Sequence, residues 1–121
     1  MLLSFVLSAF PLPSFQDNGG IGLAWRTFQR YQSTSPTKDV EMLPGTSNDQ
    51  LFWIWASQTW CATTSWATVN NELNVRGDVH SPFPVRGHAP IKNMPEFAQT
   101  FQCSPQSDMG SSLTSKRCHL W

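Results

Sequence analysis

Apolar residues along this chain fall into clusters separated by strong turn signals, and their spacing is that of helices. After Asp17-Asn18-Gly19-Gly20, the positions Ile21, Leu23, Ala24, Trp25, Phe28 and Tyr31 recur among polar residues and arginines. This predicts an amphipathic helix of about three turns over residues 20–32. A polar stretch, 33–41, leads into Leu43-Pro44-Gly45, a turn signal. Ser47-x-x-Gln50 is a capping box and opens a second helix reaching to about Cys61. Its apolar residues, Leu51 to Ala56 and then Trp60, run around the whole circumference, so this helix is expected to be walled in by other elements. A third helical stretch is expected near 66–76, although Thr68, Val69, Asn70 and Asn71 are poor helix formers. Residues 77–90, rich in Pro and Gly, predict a loop. Asn93-Met94-Pro95-Glu96 predicts the cap of a fourth short helix ending near Cys103, and the Ser-, Gln- and Gly-containing tail reads as irregular. The fold class is therefore mainly α.

Residues 1–16 (MLLSFVLSAFPLPSFQ) stand apart, with no charged side chain, and are read as a doubtful leader. A signal peptide is one reading, but no Lys or Arg precedes the apolar run and no small-x-small cleavage site follows it. A mis-joined segment is the other, since Phe15-Gln16 is what a pyrimidine-rich splice acceptor encodes when translated.

Composition sharpens this picture. Only 13% of the 121 residues are charged, below the roughly 25% of ordinary soluble domains, while 6 Trp and 8 Phe are present. A domain of this length buries only about two thirds of its surface, too little to enclose Trp53, Trp55 and Trp60 on three sides of one helix. The helical array is thus expected to be incomplete on its own. Charge balances at zero, with 8 basic against 8 acidic residues, and the basic ones are scattered, so no nucleic-acid footprint is present. The longest apolar stretch, Met1 to Phe15, is broken by Pro11 and Pro13 and is shorter than the roughly 20 residues of a membrane span.

Candidate chemistry concentrates in Asp78-Val79-His80-Ser81-Pro82-Phe83-Pro84-Val85-Arg86, which sets a His and an Arg on irregular backbone between helices. His80 is a candidate to stabilise a developing oxyanion, Arg86 to grip a substrate carbonyl or carboxylate, and Asp78 to orient the imidazole. The competing reading is a solvated His and an Arg paired with a nearby carboxylate. Asp17 is either a helix-entry cap or a carboxylate that holds a metal-bound His. Cys61, Cys103 and Cys118 are an odd number, which in an oxidising compartment means a free thiol or a bond outside the chain. With His119 they compose a possible Cys3His zinc site, though no C-x2-C spacing supports it. Neither G-x-S-x-G nor H-E-x-x-H occurs, so serine-hydrolase and self-contained zinc-peptidase chemistry are both unsupported.

These residues together resemble the C-terminal end of the neprilysin and endothelin-converting-enzyme family of zinc metalloendopeptidases, over Asp17 to Trp121. Asp17-Asn18-Gly19-Gly20 is similar to the second half of the family's E-x-x-x-D-N-G-G segment and Leu43-Pro44-Gly45 to its L-P-G turn. Gln50-Leu51-Phe52 through Gln58-x-Trp60-Cys61 resembles its Q-L-F…Q-x-W-C helix. Asp78-x-His80-Ser81-Pro82 with Arg86 matches D-x-H-S-P-x-x-x-R, Asn93 with Glu96-Phe97 matches N-x-x-E-F, and Cys118-x-x-Trp121 matches the C-x-x-W terminus.

The resemblance implies the C-terminal helical part of a thermolysin-like (gluzincin) peptidase domain over residues 17–121, acting on peptide substrates with zinc as cofactor. It gives His80 the role of transition-state stabiliser, Arg86 that of substrate-backbone binder, Asp17 that of orienting a zinc-ligating His, and Asp78 that of supporting His80. No zinc ligand lies in this chain, because H-E-x-x-H is absent and the position of the family's glutamate ligand is Pro13. The chain alone is therefore expected to be inactive and to need the missing N-terminal part of the peptidase as partner. The resemblance also implies an extracellular or plasma-membrane ectodomain, with disulfide partners of Cys61, Cys103 and Cys118 outside the chain. Other departures are Phe83-Pro84 in place of a glycine-containing pair, Ala89 at a usual glycine, and a longer tail without Asn-Pro after Met109. The alternative from a different class is a non-catalytic, secreted, Trp-rich binding protein.

Overall fold

A computed structural model describes residues 11–35, 42–77 and 80–114. These are mainly helical: α1 (Pro11–Thr34), α2 (Asn48–Gln58), α3 (Trp66–Asn70) running into a π-helical turn (Asn71–Val75), α4 (Phe83–Lys92), α5 (Pro95–Thr100) and a 3-10 turn (Ser111–Leu113). Among the described residues there is no strand, only an isolated bridge between Leu43 and Thr46.

The first helix is longer than its amphipathic pattern indicates. It begins at Pro11 rather than near residue 20 and runs unbroken through Gly19-Gly20. Pro11 and Pro13 fall in its first turn, where the missing N–H groups cost no intrahelical bond. Asp17 consequently lies inside α1, which corrects its reading as a helix-entry cap. No described helix is long and apolar enough to cross a membrane.

The turn before α2 forms as its residues dictate. Pro44 occupies the first central position, Gly45 takes φ 73°, and the Thr46 N–H donates to the Leu43 carbonyl at 3.1 Å, as a type II turn requires. The capping box is complete: the Gln50 N–H donates to Ser47 Oγ at 3.1 Å and the Ser47 N–H to Gln50 Oε1 at 2.9 Å. Asp49 in the first turn of α2 accepts from Gln29 and Gln32 Nε2, both at 2.8 Å, and so ties α2 to the last turns of α1.

Two expectations are corrected further along. Residues 83–90, expected as loop, open helix α4: Pro82 is its N-cap and Pro84 sits in the first turn, where proline is tolerated. Pro90 lies inside the same helix, where its missing N–H forfeits one main-chain bond. Asn93 does not cap the following helix. Met94 is the N-cap of α5, and the Asn93 side chain donates to Asn18 Oδ1 at 2.8 Å, tying α4 to α1.

The core gathers where α1, α2, α4 and α5 meet. Trp25, Trp53 and Ile91 are buried, with Phe28, Phe52, Met94, Phe97 and Phe101 packed around them. The Trp25 and Trp53 rings stack at 4.7 Å and 26°, and Phe52 and Phe97 each meet Trp53 edge-on at 87°. The apolar circumference of α2 is divided: Leu51 and Trp53 are buried, whereas Trp55 is 61% exposed and Ile54 37%. The described residues wall in one side of that helix.

Candidate functional site

Asp17 on α1 and Arg86 on α4 form a bidentate ion pair, with Nε to Oδ2 at 2.7 Å and a terminal nitrogen to Oδ1 at 2.8 Å. The two side chains keep 11% and 18% of their exposure, so the pair is shielded from most of the solvent. On the other side of Arg86, the Trp60 ring lies 3.7 Å from the guanidinium carbon, in cation–π contact. The arginine is thus held by charge and by an aromatic face at once, which fixes its planar fork in one orientation.

Gly87 makes this approach possible. A Cβ there would stand 3.3 Å from Trp60 Cβ, so a larger residue would require Trp60, just past the end of α2, to give way by a few tenths of an ångström. A cleft of about 280 Å³ is left beside the pair, lined by Asp17, Gly20, Trp60, Arg86 and Gly87 among others.

His80 sits on the segment just before α4, exposed, next to buried Ser81. Together with Arg86 it lines a second cleft, about 430 Å³, closed on the opposite side by Thr68, Val69 and Glu72 of α3 and the π-helical turn. Arg86 lines both clefts. The structure therefore brings Asp17, His80 and Arg86 into one neighbourhood. Asp78 lies outside the described residues, as does Cys118 with His119. Cys61 is exposed and Cys103 half-buried, and both are free thiols, so they are not bonded to each other.

Trp60 is the site residue that sequence reasoning missed as such. Its position in Gln58-x-Trp60-Cys61 was visible, but its contact with Arg86 depends on the α2–α4 packing that Gly87 permits.

Among the described residues no group of three or more His, Cys, Asp and Glu stands close enough to hold a metal ion. Both oxygens of Asp17 are engaged by Arg86, and the described residues do not by themselves fit a zinc ion. A carboxylate offers about four lone-pair positions, so Asp17 retains acceptor capacity for another donor.

The chain is 36% identical over 107 residues to neprilysin-3 of Drosophila melanogaster, 34% over 107 residues to neprilysin of Homo sapiens, and 30% over 105 residues to endothelin-converting enzyme 1 of Cavia porcellus. Each alignment covers 87% of this chain and 13% of the relative, so the chain spans about 13% of the length of the relatives it matches. No solved structure matches it. The profile of Peptidase family M13 matches residues 14–120, and the chain belongs to that family of metallopeptidases.

Proposed function

We propose that residues 17–121 are the C-terminal part of a zinc metalloendopeptidase that hydrolyses peptide bonds, supplying the groups that bind substrate and stabilise the transition state. The observation that carries the reading is the convergence of Asp17, His80 and Arg86 around two adjoining clefts. The ligands of the zinc on which the family depends belong, in this reading, to the N-terminal part of the peptidase, which also covers the exposed apolar side of α2.

Each residue has a task its chemistry suits. His80, reachable from the cleft it lines, donates a hydrogen bond to the carbonyl oxygen of the scissile amide as that oxygen gains charge. Arg86 donates from its fork to a substrate backbone carbonyl and sets the register of the peptide. Asp17 keeps Arg86 in place through both oxygens and, by the family resemblance, also accepts a hydrogen bond from a zinc-ligating His. Asp78 supports the His80 imidazole. The free thiols Cys61 and Cys103, with Cys118, pair with cysteines of the N-terminal part in an extracellular or plasma-membrane ectodomain.

A chimera tests this reading: residues 17–121 replace the corresponding segment of a neprilysin, and hydrolysis of a quenched fluorescent peptide is followed. The expected result is a working peptidase in which His80→Ala lowers kcat by about 100-fold or more and Arg86→Ala acts mainly on KM. A folded chimera without activity, or one indifferent to His80→Ala, contradicts it.

A further inference from the structure

The segment after Cys103 is irregular in outline, yet its own hydrogen bonds close it into a loop. The Ser107 N–H donates to the Ser104 carbonyl at 2.9 Å, Ser107 Oγ to the same carbonyl at 2.7 Å, and the Gly110 N–H to the Ser107 carbonyl at 3.2 Å. A Cβ at Gly110 would collide with the Ser104 carbonyl, so glycine is what lets the loop close this tightly. The loop is fastened along one face of α4: Asp108 pairs with Lys92, and His88, four residues before Lys92, meets Met109.

Met109 has two environments at once. Its side chain packs against the Trp25, Trp53 and Ile91 cluster, while its sulfur lies 2.8 Å from Nε2 of His88, an exposed residue. A thioether has no proton to give, so the imidazole N–H donates to the sulfur. The reactive atom of a half-buried side chain therefore sits at the rim of the core, beside a solvated ring. Met94 packs on the same cluster, but its methyl carbon faces Gly22 of α1, 3.9 Å from where a Cβ would stand there.

We propose that Met109 is a modification site for hydroperoxides, whose oxidation to the sulfoxide releases the loop 103–113 from α4 and the core. A sulfur lone pair attacks the terminal oxygen of the peroxide; the S–O bond forms as the O–O bond breaks. Sulfur gives up two electrons, and the proton of the attacked oxygen passes to the departing one, which leaves as water or an alcohol. The product is polar where the thioether was apolar. Returned to the Trp25–Trp53–Ile91 cluster, the sulfoxide oxygen would lose its water; turned outward, it keeps water and accepts from His88. The loop thereby loses its apolar anchor and keeps only its surface contacts. The inference is independent of the proposed substrate role of Arg86.

The 121-residue chain is treated with hydrogen peroxide, oxidised residues are mapped by peptide mass spectrometry, and amide hydrogen exchange is compared before and after. Met42, 63% exposed just ahead of Leu43-Pro44-Gly45, is the freely accessible reference. Met109 is expected to reach the sulfoxide over the same peroxide range as Met42. Amides of residues 103–113 should then exchange about 5-fold faster or more, while those of α2 do not change. Met109→Leu, similar in size and without sulfur, is expected to abolish the effect of peroxide on the loop, whereas Met42→Leu preserves it. The thiols of Cys61 and Cys103 oxidise alike in both variants, so the comparison cancels them. Met109→Gln, polar and of similar length, should loosen the loop with no peroxide at all. A Met109 that stays reduced after Met42 is converted, a sulfoxide at Met109 with unchanged exchange, a loop still loosened by peroxide in Met109→Leu, or a loop unaltered in Met109→Gln overturns the inference.

Discussion

Asp17 and Arg86, 69 residues apart in the chain, meet in a bidentate ion pair at 2.7 and 2.8 Å that joins α1 to α4. Removing Asp17 takes the bidentate carboxylate from Arg86, and removing Arg86 takes both of these donors from the shielded Asp17 carboxylate. Asp17→Ala is expected to destabilise the fold by about 2–3 kcal/mol, less than a fully buried pair because some solvent still reaches both groups. In a double-mutant cycle with Arg86→Ala, followed by urea unfolding, the pair should show a coupling of about 1–3 kcal/mol. Simple additivity would mean that the contact does not hold the helices together.

Trp53 is the largest fully buried side chain among the described residues, and its indole nitrogen has no hydrogen-bond partner. Trp53→Ala, which empties the centre of the aromatic cluster, should cost about 3–5 kcal/mol. Trp53→Phe should cost distinctly less than the lost volume suggests, because it also removes a buried N–H left without a partner at about 1–3 kcal/mol. Thermal unfolding of the two variants side by side decides this.

Ser47 and Gln50 satisfy each other's backbone N–H at the start of α2. Ser47→Ala should lower stability by about 1 kcal/mol, and Gln50→Ala added to it should cost little more, since the reciprocal arrangement is already broken. Two independent, additive losses would show that the box does not act as a unit.

The isolated 121-residue chain is expected to show no hydrolysis of a quenched fluorescent peptide with or without added zinc, because H-E-x-x-H is absent and the described residues gather no three potential metal ligands. Atomic absorption after dialysis should find no stoichiometric zinc. One tightly held ion per chain would instead favour a site built from Cys61, Cys103, Cys118 and His119.

Much of this architecture is legible in the sequence where the signal is local. Ser47-x-x-Gln50 marks the start of α2 and Leu43-Pro44-Gly45 its turn, because each is completed by residues within a few positions. The helical course of residues 83–90 is hidden because Pro82, Pro84 and Pro90 suggest loop, and only the packing of α4 on α1 and α2 shows that Pro84 falls in a first turn and that Pro90 is carried inside the helix. The start of α1 is hidden for a related reason, as Pro11 and Pro13 read as breakers until they are placed in a first turn. At the site, His80 and Arg86 stand out by motif, whereas the partnership of Arg86 with Asp17 and Trp60 is a long-range contact that no spacing encodes.

The most direct test of the peptidase account is the natural message upstream of the Asp17 codon, read in the same frame. The account predicts that it continues into a glutamate four residues before Asp17 and, further upstream, into His-Glu-x-x-His. A message that begins at Met1 and encodes Pro13 at that glutamate position would contradict it.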